Sequence, residues 1–180
     1  KLPIVYTIPL TGQVGFIFGE DDHSTKFYSS SIVSDCFVIA KRKKAEAVIL
    51  DITSNGGYLK EANKICNLIQ EYRNVFEIIA YPRQVNGPAC GIVMTCDTVV
   101  VSPNTKFGPD PSASEKNHLQ MYCRDVNRET SIAIALEKGK SITYDSSELV
   151  KVGFASRAAQ SIDLVLTPSK DFSCKSKVSI

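Results

Sequence analysis

Apolar positions along the chain switch between two periods. Pro3 to Leu10 alternates and is rich in β-formers, which predicts a strand closed by Thr11-Gly12. Gly15 to Lys26, with acidic Glu20-Asp21-Asp22, predicts a loop or short hairpin. Helical spacing then takes over. Val33, Cys36, Phe37 and Ala40 share one side of a helix from about Ile32 to Lys43, with Ser29, Ser30 and Ser31 in front as N-caps. Ala45 to Ile52 is a nearly unbroken apolar run, which suits a strand buried on both faces. After a break at Thr53-Ser54-Asn55-Gly56-Gly57, a second helix carries Leu59, Ala62, Cys66 and Ile69 on one face.

The later segments repeat the alternation. Phe76 to Tyr81 predicts another buried strand, ended by Pro82, and Pro88 to Cys96 a short apolar helix with Pro88 in its first turn. Asp97 to Ser102 predicts a strand, and Pro103-Asn104-Thr105 a turn. Ser114 to Leu136 fits one long helix that ends at Lys138-Gly139-Lys140. Asp145, Ser146 or Ser147 caps a short helix terminated by Gly153. Residues 168–180, rich in serine and lysine, read as a loose polar tail. Strands alternating with helices imply βαβ units with right-handed crossovers. The expectation is one α/β domain over residues 1–167, with a mainly parallel central sheet flanked by helices.

Composition narrows the function classes. A chain of 180 residues, 43% hydrophobic and 22% charged, suits a single globular core. The net charge of +2 is small, and no arginine-rich stripe interleaves with aromatics, which argues against a nucleic-acid partner. Lys41-Arg42-Lys43-Lys44 reads as a solvated helix end, where cations complement the helix dipole. No stretch approaches the roughly 18 apolar residues of a membrane helix. Lys1-Leu2-Pro3-Ile4-Val5-Tyr6 lacks signal-peptide features, which leaves open an anchor or targeting segment upstream. The six cysteines are scattered without a Cys-x-x-Cys pair, and there are two histidines, so no metal centre is expected, and no cofactor. Cys36 and Cys66, on apolar helical faces, read as small buried hydrophobes. Unpaired thiols favour an intracellular compartment.

The segment Leu50-Asp51-Ile52-Thr53-Ser54-Asn55-Gly56-Gly57 carries the chemistry. Two glycines between a strand and a helix let backbone N–H groups point into open space, and the helix N-terminus adds positive partial charge. An oxyanion hole for an acyl transition state is built this way, although a tight turn alone also calls for glycine.

The order of motifs resembles the SppA and NfeD-like serine peptidases, relatives of ClpP. It runs from a strand reading Ile-Pro-Leu-Thr-Gly-Gln-Val-Gly (Ile8 to Gly15), through a helix, to Asp-x-x-Ser-x-Gly-Gly (Asp51 to Gly57). Ala80-Tyr81, a short apolar helix and Ser-Pro-x-Thr-x-x-Gly (Ser102 to Gly108) follow, and the resemblance spans about Val5 to Val165. It implies the ClpP/crotonase fold, peptide-bond hydrolysis of a peptide or protein substrate, and a homo-oligomer. Gly56, Gly57 and Gly91 would form the oxyanion hole, and Lys116 matches the family's catalytic lysine. A lysine base needs a pKa lowered by burial. His118, two positions on, should point elsewhere on the helix.

The nucleophile departs from the pattern. The family's serine maps within Gly87-Pro88-Ala89, none of which can attack a carbonyl. Three readings stay open: a non-catalytic member, a serine replaced by alanine, or Cys90 acting as a thiolate at the helix start. A second resemblance, to acyl-CoA hydratases and isomerases of the crotonase family, rests on Val85 to Gly91, Cys96-Asp97 and Thr105 to Gly108, with Asp110 as the acidic residue. Against it, Asn86 to Asp97 is about one helical turn short, and Ser-Asn-Gly-Gly stands where Ala-Gly-Ala-Asp is expected. A third reading is a catalytically dead subunit that assembles through the helix Ser114 to Leu136.

Overall fold

The computed structural model describes residues 3–15, 26–108 and 143–166. Its centre is β4 (Ala47–Ser54), held in parallel register between β1 (Val5–Thr11) and β5 (Glu77–Asn86). β6 (Thr98–Val101) and β9 (Arg157–Ala158) extend the sheet in parallel, giving the order β1-β4-β5-β6-β9. The end of β5 pairs in parallel with β7 (Lys106–Gly108), which pairs antiparallel with β8 (Tyr144–Asp145).

The apolar run of β4 is buried on both faces, as its composition requires. Val48, Leu50 and Ile52 join Val33 and Phe37 of α1 (Ser30–Arg42) and Ile65 and Ile69 of α2 (Leu59–Tyr72) in the main core. The alternate residues Ala47 and Ile49 join Val5, Ile79, Tyr81, Val100 and Ala159 in a second core on the opposite face. There the Tyr81 hydroxyl donates to Ala159 O at 2.9 Å, so the strand's one buried phenol keeps a partner.

Three local expectations are corrected. The strand foreseen over Phe76–Tyr81 runs on through Pro82 to Asn86. Its register against β4 shifts between Ile52 and Thr53, so Arg83 is an extra residue, and such a bulge accommodates a proline that cannot donate. The Pro82 carbonyl accepts from Thr105 Oγ1 at 2.6 Å. Next, β2 (Gln13–Val14) and β3 (Phe27–Tyr28), neither foreseen as a strand, pair in parallel, and most of the loop or short hairpin foreseen over Gly15 to Lys26 lies outside the described residues. Finally, Ser29 occupies the N-cap of α1 without making a side-chain cap bond. A carboxylate from α2 closes that end instead: Glu61 Oε2 accepts from the Ser30 N–H at 3.0 Å and from Ser30 Oγ at 2.9 Å, while Lys64 Nζ lies 2.6 Å from Oε1. Although burial opposes it, Lys64 and Ser30 together hold the Glu61 carboxyl below its ordinary range.

The short helix α4 (Ser146–Lys151) begins where expected, with Asp145 as the cap, and Gly153 follows it at φ +73. The long helix foreseen over Ser114–Leu136 and the tail over 168–180 lie outside the described residues.

Candidate functional site

Strands β4 and β5 end side by side, at the carboxyl edge where open α/β sheets bind ligands. Each leads through a glycine turn into a helix: Asn55 to Tyr58 into α2, and Gly87-Pro88 into α3 (Ala89–Thr95). These two turns touch. A Cβ placed on Gly56 would lie 3.7 Å from both Asn86 O and Pro88 Cδ, and one on Gly87 would lie 3.8 Å from Gly56 Cα.

Positive dihedrals explain why glycine is needed here, at φ +110 for Gly56, +132 for Gly57 and +54 for Gly87. Strand β2 pins the first turn. The Val14 N–H donates to Gly56 O at 2.9 Å, and the Tyr58 N–H donates to Val14 O at 2.8 Å. In a parallel ladder those bonds use one edge of the turn, so the N–H and C=O of Gly57 face the other way. Among the described residues the Gly57 N–H meets no acceptor. A Cβ on Gly57 would fall 2.2 Å from Val14 O, which makes glycine obligatory at that close approach.

Below the turn, Ser54 Oγ donates to Gly56 O at 3.2 Å and lies 3.4 Å from the Gly56 N, bracing the bend. The Tyr28 hydroxyl is buried next to Ser54 and has no completed hydrogen bond among the described residues. Burial drives its phenol pKa well above the ordinary range, and Ser54 opposes the shift. Chemically, the turn offers one outward amide that can hold an oxyanion or a peptide carbonyl.

The predicted residues separate on the structure. Gly56, Gly57, Gly87 and Pro88 come together at the two turns. Ala89 opens α3 and is fully buried. Cys90, the candidate thiolate, has its side chain fully buried in the main core, with Sγ donating to Val85 O at 3.6 Å. The Gly91 N–H donates to Pro88 O at 3.1 Å inside the first turn of α3. Lys116, His118 and Asp110 lie outside the described residues. Sequence reasoning missed the bracing role of Ser54 and the buried Tyr28 beside it, and it missed Tyr58, a residue 56% exposed beside the glycine turn. The adjacency of Tyr58 to Gly56-Gly57 was a signal available in the sequence; its exposure was not.

Among the described residues no group of histidine, cysteine and acidic side chains could hold a metal ion, and no helix is long and apolar enough to cross a membrane. No disulfide joins Cys36, Cys66, Cys90 and Cys96.

No family model and no curated protein sequence matches the chain. Solved structures do. The chain is similar to the 1510-N membrane protease specific for a stomatin homolog from Pyrococcus horikoshii, at TM-score 0.73 and 19% identity, over 92% of this chain and 78% of that one. ClpP1 from Listeria monocytogenes is similar at TM-score 0.64 and 12% identity, over 87% and 92% of the two chains. An enoyl-CoA hydratase from Shewanella pealeana is similar at TM-score 0.57 and 14% identity, over 77% and 61%. Topology, core and neighbours agree on one conclusion: this chain has the ClpP/crotonase-like α/β fold.

Proposed function

We propose that this protein is a ClpP-class peptidase fold that binds an extended peptide at the Gly57 amide without hydrolysing it. The observation that carries the reading is the start of α3. Ala89 stands there fully buried, and the Cys90 thiol points into the core. The Ser54 hydroxyl is engaged with Gly56 beneath the turn. None of these three side chains therefore presents an attacking oxygen or sulfur beside the outward amide, while the amide itself is kept. A peptide carbonyl is the natural ligand for such a donor. In support, a variant of 1510-N with a similar fold holds a substrate peptide. Lys116 enters this reading as the group that would deprotonate a serine restored at the start of α3.

The test uses an unstructured, fluorescently labelled peptide and the intact protein. Binding should raise fluorescence anisotropy with no cleavage over hours, and a fluorophosphonate probe should leave the protein unlabelled. Ala89→Ser places a hydroxyl at the helix start and should create fluorophosphonate labelling that a further Lys116→Ala removes. Cleavage by the unaltered protein that Cys90→Ser abolishes would overturn the reading. Thermal stabilisation by acyl-CoA, with no peptide binding, would transfer the site to the crotonase class.

A further inference from the structure

We propose that Tyr28 is a positioning residue of the peptide-binding turn: its hydroxyl is the first donor of a relay through Ser54 that polarises the Gly56–Gly57 peptide group and strengthens the Gly57 N–H. The inference rests on the peptide-binding reading above and adds how the protein tunes that amide.

Strand register places the parts. Tyr28 of β3 pairs with Val14 of β2, and Val14 bridges in turn to Gly57, so the three residues lie side by side across one short parallel ladder. Backbone bonds agree: the Gly15 N–H donates to Tyr28 O at 2.9 Å, and the Tyr58 N–H to Val14 O at 2.8 Å. From β3 the Tyr28 side chain enters the main core, only 3% exposed, and its hydroxyl lies next to Ser54. Ser54 Oγ donates to Gly56 O at 3.2 Å, and the same oxygen accepts from the Val14 N–H at 2.9 Å. The Gly56 carbonyl and the Gly57 N–H belong to one planar peptide unit and point opposite ways. Whatever polarises that oxygen beneath the turn therefore polarises the outward N–H as well.

Direction decides the chemistry. Every step runs donor to acceptor the same way: Tyr28 O–H to Ser54 Oγ, Ser54 O–H to Gly56 O, Gly57 N–H to a ligand carbonyl. Bonds in such a chain strengthen one another by roughly 10–30% each. Burial keeps the proton on the phenol, as the head of the relay requires. Among the described residues the Tyr28 hydroxyl completes no hydrogen bond, and Cys66 and Cys90 share its core. A buried donor left unmatched destabilises a fold, and phenylalanine would fill the same space without that cost. The hydroxyl serves the occupied turn. A carbonyl accepting at Gly57 makes Gly56 O a stronger acceptor, Ser54 then donates more fully, and its Oγ becomes the acceptor that Tyr28 needs.

The probe is the unstructured, fluorescently labelled peptide read by anisotropy, with a melting curve for each variant. Tyr28→Phe keeps the ring and removes only the hydroxyl. It should weaken peptide binding about threefold to tenfold, while the melting temperature stays level or rises. A hydroxyl that only held the fold would instead lower the melting temperature and leave Kd alone. Ser54→Ala cuts the relay at its middle and should weaken binding at least as much. Tyr28→Phe added to Ser54→Ala should then change Kd by less than about twofold, because the two groups act as one chain. Unchanged affinity in Tyr28→Phe, a melting temperature that falls together with affinity, or a full second loss on top of Ser54→Ala each overturns the proposal and leaves peptide binding standing. Failure of the intact protein to bind the peptide removes both.

Discussion

Helices α2 and α4 both begin after a strand of the same sheet, yet their first turns are finished differently. At α4, Asp145 Oδ1 accepts from the Glu148 N–H at 2.9 Å, and Glu148 Oε2 accepts from the Asp145 N–H at 2.9 Å. Side chains close that end reciprocally. At α2 the N-cap is Tyr58, which makes no side-chain cap bond, and two glycines precede it. The start of α1 sides with α4, because Glu61 reaches across to close it. Where a helix only supports the sheet, then, a carboxylate satisfies its donors. The start of α2 leaves the Gly57 amide outward instead, and it does so at the edge where β4 and β5 end together. Openness there is built, because a neighbouring strand holds the turn in place from behind.

The most direct way to break this contrast is Gly57→Ala. Its Cβ would meet Val14 O at 2.2 Å and Val14 N at 2.5 Å, with φ at +132. Both objects are backbone and neither can swing aside. Thermal or denaturant unfolding should show a loss of at least about 4 kcal/mol, the range reserved for a named steric failure. A loss below about 1 kcal/mol would mean that β2 is not the buttress of the turn.

Gly56→Ala sharpens the same point from the adjacent residue. At φ +110 an alanine is strained, but its Cβ would find nothing nearer than 3.7 Å. The cost should be the backbone term alone, about 1–3 kcal/mol, well short of the Gly57 variant. Equal losses at the two positions would show that dihedral strain, and not the approach of β2, dictates both glycines.

Removing the carboxylate that closes α1 comes next. Glu61→Ala leaves the Ser30 N–H without its cap and Lys64 without its ion pair, and should cost about 1–2 kcal/mol. Glu61 is buried and its carboxyl is held below the ordinary range, so the folded state favours the ionised form. The sign follows: this stability is present above the unfolded value, near 4.3, and is lost as pH falls through the lower folded value. Equilibrium unfolding at pH 7 and at acid pH should therefore show the gap between parent and variant narrowing. A gap that widens in acid would reverse the assignment.

How much of this was legible in the sequence depends on the range of the interaction. The strand–turn–helix frame, the double burial of β4 and the glycine turn at Gly56-Gly57 follow from local periodicity and dihedral preference. The extension of β5 past Pro82 was hidden because proline punctuates a sequence locally, whereas the bulge that admits it is set by the register against β4. Ser29 to Ser31 looked like caps, but the group that closes α1 comes from Glu61, 31 residues after Ser30. Cys90 shows the same limit. Its position at a helix start left a thiolate open beside a small buried hydrophobe, and only packing shows that the thiol faces Val85 and the core. The exposure of Tyr58 and the approach of its ring to Gly15 likewise depend on a strand pairing that no local pattern announces.

Asp145→Ala tests the closed member of the comparison and should have the smallest effect. The cap is a local device on the surface, so solvent and salt screen its charge. Backbone bonds from Glu148, followed by the Ser147 hydroxyl, hold the Asp145 carboxyl below its ordinary range. A depressed folded value makes the contribution complete above the unfolded pKa, near 3.9, and lost as pH falls through the folded one. At neutral pH the variant should melt a few degrees lower than the parent, with peptide binding at the β4–β5 edge unchanged. Below about pH 4 the two curves should converge, because the parent's cap is then being protonated. Asp145→Asn keeps an acceptor for the Glu148 N–H without the charge, so it should recover most of the loss at neutral pH and show little of the acid convergence. If Asp145→Ala instead weakened peptide binding about tenfold, the start of α4 would belong to the site, and the division between closed supporting ends and one open functional end would fail.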